Sequence, residues 1–174
     1  MSNSKTDPTK LKYISHYPGS IVESVQHLVD TNKLTAYLIK KYPHPHHFNN
    51  DKLLREYVLE LKNQYLKKSQ PISKVEYDNK LHVIKNALGT HTSVARVQGA
   101  KLKRKYEIRI SSIFKNAPQE FLAMIVVHEL AHFKESDHNK AFYKLCEYML
   151  PNYHQLELDV RIYLTHLELI GEVY

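Results

Sequence analysis

The sequence predicts an α+β protein, and three observations carry that reading. Both ends of the chain repeat apolar residues at helical spacing. A middle stretch alternates them or strings β-branched residues together. Pro, Gly and Asp-Asn pairs separate the two patterns. Residues 1–19 read as a polar tail closing at Pro18-Gly19. Ser20 and Glu23 have capping-box spacing ahead of Ile21, Val25, Leu28 and Val29, which share one helical face. A short second helix carries Leu34, Tyr37 and Leu38, and ends at a segment where Pro43 and Pro45 forbid a helix interior. A third, from about Asp51 to Lys68, buries Leu54, Tyr57, Val58, Leu61 and Tyr65.

Beyond Pro71 the pattern changes. Ile72, Val75 and Tyr77 begin a stretch rich in β-formers. Leu81 to Ile84 and Thr92 to Val97 read as short strands, with turns at Asp78-Asn79 and Gln98-Gly99. Tyr106, Ile108 and Ile110 alternate with Glu107, Arg109 and Ser111, so 104–112 reads as a strand with one buried face, and as an edge strand. Pro118 stands where a first-turn proline belongs, and a helix runs from it to about Lys134. Asp137 is placed to cap a further helix from His138 to Leu150, stopped by Pro151. A last helix, about 154–168, buries Leu156, Val160, Leu164 and Leu167, with Gly171 after it. The expected organisation is a tail at 1–19, a helical segment at 20–68 and a site-bearing domain at 69–174.

Composition bounds the function classes. Hydrophobic residues are 43% and charged residues 25% of 174, the balance of a soluble globular chain. The longest apolar run, Phe121 to Val127, is far too short for a bilayer, and Met1 to Lys10 hold no apolar leader core. A single cysteine, Cys146, forms no internal disulfide, so the expected location is the cytoplasm. The net charge of +7 suits anionic partners, nucleotides and nucleic acid among them.

The chemistry is concentrated in His128-Glu129-Leu130-Ala131-His132. Residues four apart on a helix lie above one another on one face, so both imidazoles reach a single cation. Glu129 projects about 100° around the axis, beside the ion and within reach of its water, where a general base belongs. A catalytic zinc needs a third protein ligand. His138, six residues on, supplies it if the turn-forming Glu135-Ser136-Asp137 folds the chain back. This is the ligand spacing of the metzincins, which place glycine where this chain has Glu135. With 12 histidines in the chain, an accidental HExxH arises in about one such sequence in twenty, and a third histidine at this spacing is about fifteenfold rarer. The helix around it is apolar on nearly every side, so its polar groups need partners that a metal and its water supply.

The segments Ile125–Lys134 and Asp137–Phe142 resemble the core of the YgjP-like metal-dependent hydrolases, a family of small zincin-like proteins. The resemblance is dense over 118–150 and extends across 70–174. It implies a minimal zincin-like domain with His128, His132 and His138 as zinc ligands and Glu129 as base. Upstream, Thr92-Ser93-Val94-Ala95-Arg96 stands where the family has a tryptophan-bearing turn. Both peptide bonds and nucleoside triphosphates fit the family as substrates.

Other residues have weaker claims. Glu157 or Asp159 could orient a ligating imidazole. Arg109, Tyr143, Tyr148 or Tyr163 could stabilise developing charge. His44, His46 and His47 could bind a second metal, though an exposed loop that captures stray transition metal in vitro is the favoured account. Lys101, Lys103, Arg104 and Lys105 could grip phosphate or nucleic acid, though a charged, solvated hairpin is the simpler account. Cys146, beside Phe142, Leu145 and Met149, reads as a core residue. The leading expectation is a zinc metallopeptidase acting on a peptide or protein held along strand 104–112 by β-augmentation. The alternatives are a nucleoside triphosphate pyrophosphatase at the same metal, and a DNA-associated protease of the SprT-like kind. No membrane partner is expected.

Overall fold

A computed structural model of the chain describes residues 11–81, 89–98 and 101–174, with backbone alone at 89–98 and 101–105. The elements, in order, are α1 (Gly19–Asp30), α2 (Leu34–Lys41), α3 (Asp51–Tyr65), β1 (Ile72–Asp78), β2 (Gly89–Gln98), β3 (Lys101–Ser111), α4 (Gln119–Ala131), α5 (Lys140–Met149) and α6 (Tyr153–Leu169), with one 3₁₀ turn at Ser112–Phe114. The α+β class is as expected, with a small sheet between helices. Among the described residues no helix is long and apolar enough to cross a membrane.

The chain divides into two compact units. One comprises Met1–His44 and His154–Tyr174. Val25, Leu34 and Leu38 are buried here with Val160 and Leu164. So are Leu11 and Ile14, which lie in the stretch read as a polar tail. Residues 1–10 of that tail lie outside the described residues. Helix α1 starts two residues earlier than the capping box required. Pro18 takes the N-cap position without a side-chain bond, and the Ser20 carbonyl instead accepts from Ser24 Oγ.

The second unit, Pro45–Tyr153, holds the sheet and the HExxH helix. Asn50 caps α3 by accepting from the Leu53 N–H, and the helix ends at Tyr65, short of the expected Lys68. The sheet order is β1-β3-β2, with β1 parallel and β2 antiparallel to β3. A bulge between Ile72 and Lys74 resets the alternation. Ile72 and Val75, an odd number of residues apart, therefore both turn to the core with Ile108 and Ile110. Lys74, Glu76, Glu107 and Arg109 mark the opposite, charged face.

Two expectations change here. The strand read at 104–112 is longer, Lys101–Ser111, and it is central: β2 pairs along its whole length and β1 along Tyr106–Ser111. Over Tyr106–Ile110 both of its hydrogen-bonding edges are taken, so that stretch is not an edge for an extended peptide. Strand β1 was legible only as a β-rich stretch. Of the strand read at 81–84, residues 82–84 lie outside the described residues, as does Gly99 of the expected turn. The turn at Asp78-Asn79 is present, closed by the Lys80 N–H donating to Asp78 Oδ1.

Helix α4 is apolar all round and buried accordingly: Phe121, Leu122, Met124, Ile125 and Val126 are fully enclosed. Pro118 sits at its N-cap, one position before the expected first turn, and its carbonyl accepts from Phe121 and Leu122 N–H groups. Immediately before it, the His46 N–H donates to the Ala117 carbonyl, and Pro45 bridges to Pro118. These contacts fix where α4 begins.

Candidate metal centre

Helix α4 delivers His128 and His132 one turn apart. His128 is 6% exposed, and Glu129 between them is 1% exposed. The helix proper stops at Ala131, earlier than the expected Lys134, and His132 is its C-cap in a helical conformation. The next residues tighten into a turn in which the Phe133 N–H donates to the Leu130 carbonyl, and the Lys134 and Glu135 N–H groups share that of Ala131. At the far side the Asn139 N–H reaches back to the Asp137 carbonyl at 2.8 Å. The chain thus reverses without a glycine. Asn139, not Asp137, caps the following helix by accepting from the Phe142 N–H. His138 therefore precedes α5 instead of opening it, and is carried by the turn.

That turn brings the third ring home. His138 Nε2 lies 3.2 Å from His128 Nε2 and 3.0 Å from His132 Nε2. One nitrogen from each ring falls within 4.8 Å of the other two. Ligand nitrogens about 2.0–2.1 Å from a tetrahedral zinc are separated from one another by about 3.3 Å, so the observed spacings suit such an ion. The other ring faces agree. His132 Nδ1 is 3.0 Å from the Glu135 carbonyl, which can only accept, so this nitrogen carries the proton and Nε2 presents a lone pair. His138 Nε2 has at most one proton to offer two neighbours. A cation among the three satisfies every lone pair at once, and the three histidines are suited to hold a metal ion such as zinc.

Two residues that spacing did not reveal complete the surroundings. The Tyr153 hydroxyl lies 2.7 Å from His128 Nδ1, and Tyr153 is fully buried. Phe142, also fully buried, has its ring centroid 5.0, 4.6 and 4.8 Å from those of His128, His132 and His138. It forms an apolar floor that limits how far any of the three rings can swing. Tyr153 stands 25 residues from its partner, beyond any local periodicity. Phe142 reads from sequence as one more core residue.

The remaining candidates separate. Asp159 is fully buried, but its partners are Lys41 at 2.7 Å and the side chains of Tyr37, Tyr42 and Gln155. Glu157 pairs with Arg161. The expected carboxylate beside a ligating imidazole is thus replaced, at His128, by a phenol. Arg109 is held among Glu76, Asp78 and Glu107 on the charged face of the sheet. Of the three tyrosines, Tyr143 stands at the site, its ring 6.4 Å from that of His138. Tyr148 meets Tyr65, and Tyr163 meets Tyr174. His46 is a structural tie: its Nδ1 accepts from the Phe48 N–H, so Nε2 donates to the Phe114 carbonyl at 2.7 Å. The three-histidine cluster is the one metal-suited group found among the described residues. Cys146 is buried in α5, as expected of a core residue. The side chains of Lys101, Lys103, Arg104 and Lys105 lie outside the described residues.

The model of the YgjP-like, metallopeptidase domain family matches residues 23–161. The chain is similar to the UTP pyrophosphatase of Escherichia coli (strain K12), with 55% identity over 161 residues, 92% of this chain and 96% of that protein. No solved structure matches the chain.

Proposed function

The chain belongs to the YgjP-like family as a hydrolase bearing a zinc-type site, and we propose that its substrate is a nucleoside triphosphate, UTP foremost, cleaved to the monophosphate and pyrophosphate. The carrying observation is the 55% identity to a UTP pyrophosphatase over nearly the full length of both chains. This reading reverses the order that the sequence alone favoured. The peptidase reading leaned on β3 as a peptide-binding edge, and β3 is central.

In this proposal His128, His132 and His138 hold zinc and Glu129 is the general base. Zinc bound there supplies a Lewis acid for phosphoryl oxygens and acidifies water toward neutral pH. Glu129, buried beside His128, accepts the proton of the attacking water, whose oxygen bonds to the α-phosphorus. The α–β bridging bond breaks, and pyrophosphate leaves with the electron pair. Burial excludes bulk water from the carboxylate and strengthens its interaction with nearby charge. Tyr153 orients His128, and Phe142 restricts the three rings. A cytoplasmic location belongs to the same reading, supported by a sequence with no second cysteine for Cys146 to bridge.

The experiment is an assay of the purified protein on UTP, other nucleoside triphosphates and casein, with and without chelator. The expected result is chelator-sensitive release of UMP and pyrophosphate with casein intact. Chelator-sensitive casein cleavage without nucleotide turnover overturns the proposal in favour of the peptidase. Steep salt-dependent DNA binding with DNA-stimulated proteolysis would point to the SprT-like alternative.

A further inference from the structure

His138 reaches the other two rings from a segment that no helix or strand supports. Residues 136–138 are all exposed, and the 3.0 and 3.2 Å approaches of His138 to His132 and His128 depend on where that segment stands. Asn139 lies at its far end. Its Oδ1 accepts from the Phe142 N–H at 2.9 Å and so caps α5. A cap needs only that oxygen, and Asp or Ser would supply it as well. Asn has an amide nitrogen besides. Here that nitrogen is used: Nδ2 donates to Glu135 Oε2 at 3.3 Å.

Glu135 lies at the near end. Its N–H donates to the Ala131 carbonyl, which fastens it to the last residue of α4. Its own carbonyl accepts from His132 Nδ1 at 3.0 Å. On the other side, α5 carries Phe142 in its first turn, with the ring about 5 Å or less from all three imidazoles. The bond from Asn139 to Glu135 therefore joins the backbone that fixes His132 to the helix start that supplies the apolar floor. It spans the mouth of the turn, with His138 inside. The Asn139 N–H, bonded to the Asp137 carbonyl at 2.8 Å, curls the end of the same turn.

We propose that Asn139 is a positioning residue for the metal centre: its side-chain amide straps the turn to Glu135 and holds His138 Nε2 toward the other two rings, a role separate from its capping of α5. The inference rests on the reading of the three histidines as a zinc site. The strap touches no substrate, so it acts on how zinc is held and not on which substrate is cleaved.

The test uses the full chain in two forms. Zinc-loaded protein is mixed with excess chromophoric chelator, and the rate of zinc dissociation is read. In the metal-free protein, NMR reads hydrogen exchange at the Asn139 N–H, which lies within the turn, and at the Phe142 N–H, which reports the cap. Glu135→Ala and Glu135→Gln lose the same charge, but only Gln keeps an oxygen for Asn139 Nδ2. Zinc is expected to leave Glu135→Ala about fivefold faster than Glu135→Gln, the factor that one net hydrogen bond contributes. Exchange at Asn139 should quicken by a similar factor while exchange at Phe142 stays unchanged. In an Asn139→Ala background the two Glu135 variants are expected to release zinc alike, because the partner is gone. Zinc release from Glu135→Ala within twofold of that from Glu135→Gln overturns the inference and leaves the zinc site standing. Exchange at Phe142 that rises together with that at Asn139 also overturns it, since the pair then serves only the cap. A native chain that takes up no zinc, but in which Glu135→Ala quickens Asn139 exchange alone, upholds the strap and sinks the metal reading.

Discussion

Replacing Tyr153 with Phe tests whether the site is organised beyond its three ligands. The substitution keeps the ring and removes one oxygen, which lies 2.7 Å from His128 Nδ1 in a place closed to solvent. Taking away one partner of a buried hydrogen bond costs about 1–3 kcal/mol. Loss of a group that orients a metal-bound imidazole lowers metal affinity by about 10–100-fold, equivalent to about 1.4–2.7 kcal/mol. The two routes agree, so zinc affinity in Tyr153→Phe is expected to fall 10–100-fold. Competition against a chromophoric chelator reads this directly, and the visible spectrum of the cobalt-substituted protein reports any change in ligand geometry. Tyr57→Phe, a second buried tyrosine on α3, is the control and is expected to leave zinc affinity unchanged. If Tyr153→Phe binds zinc within twofold of the native chain, the hydroxyl does not orient His128, and the floor provided by Phe142 suffices.

Glu129→Gln is expected to retain zinc while kcat falls by about 10²–10⁴, the usual contribution of a general base; metal analysis and steady-state kinetics together check it. His138→Ala leaves a two-histidine site, so zinc should be lost on dialysis and the thermal shift produced by added zinc should vanish. For the native chain that shift reflects about 2.7 kcal/mol at a free zinc concentration one hundred times Kd. A pH effect follows from His46 and His166, whose pKa values burial lowers from the ordinary 6.5. Each ring has one nitrogen that accepts, from the Phe48 N–H and from Thr35 Oγ1 respectively. On acidification the unfolded chain takes up these protons first, so their stabilisation is complete above about pH 6.5 and is lost as pH falls toward the folded values. Denaturant unfolding of His46→Gln, with chelator present throughout, should show a shallower loss below pH 6.5 than the native chain; parallel profiles would contradict the assignment.

The three-histidine cluster was legible because helical spacing is a local rule. His128 and His132 four apart place two rings on one face, and a turn-forming triplet followed by His138 brings the third to them. The burial of α4 was legible for the same reason, its apolar residues leaving no polar side. What escaped depends on contacts distant in sequence. Nothing near 104–112 says that β1, some thirty residues earlier, lies along its open side, so a central strand reads as an edge. Tyr153 likewise has no periodic relation to His128. Helix ends slipped by a residue or more because a capping pattern does not by itself fix where a helix begins: the Asn139 side chain, not Asp137, caps α5, and α1 begins after Pro18 with no side-chain cap, leaving Ser20 inside the helix. The choice between peptide and nucleotide was not legible because the same three histidines and carboxylate serve both chemistries.

The three histidines differ in exposure: His128 is deep, His132 half-buried, and His138 at the surface on a short turn. Affinity and exchange are thereby divided between different parts of the chain. The two helix-borne rings are preset by α4 and contribute whether or not an ion is near, while the third moves with residues 135–138. In the proposed site, release of the ion is expected to start at that exposed turn, so that its residence time follows the rigidity of a few solvent-facing residues. A substitution such as Ser136→Pro could change how quickly metal comes and goes while leaving the deeper half of the site untouched.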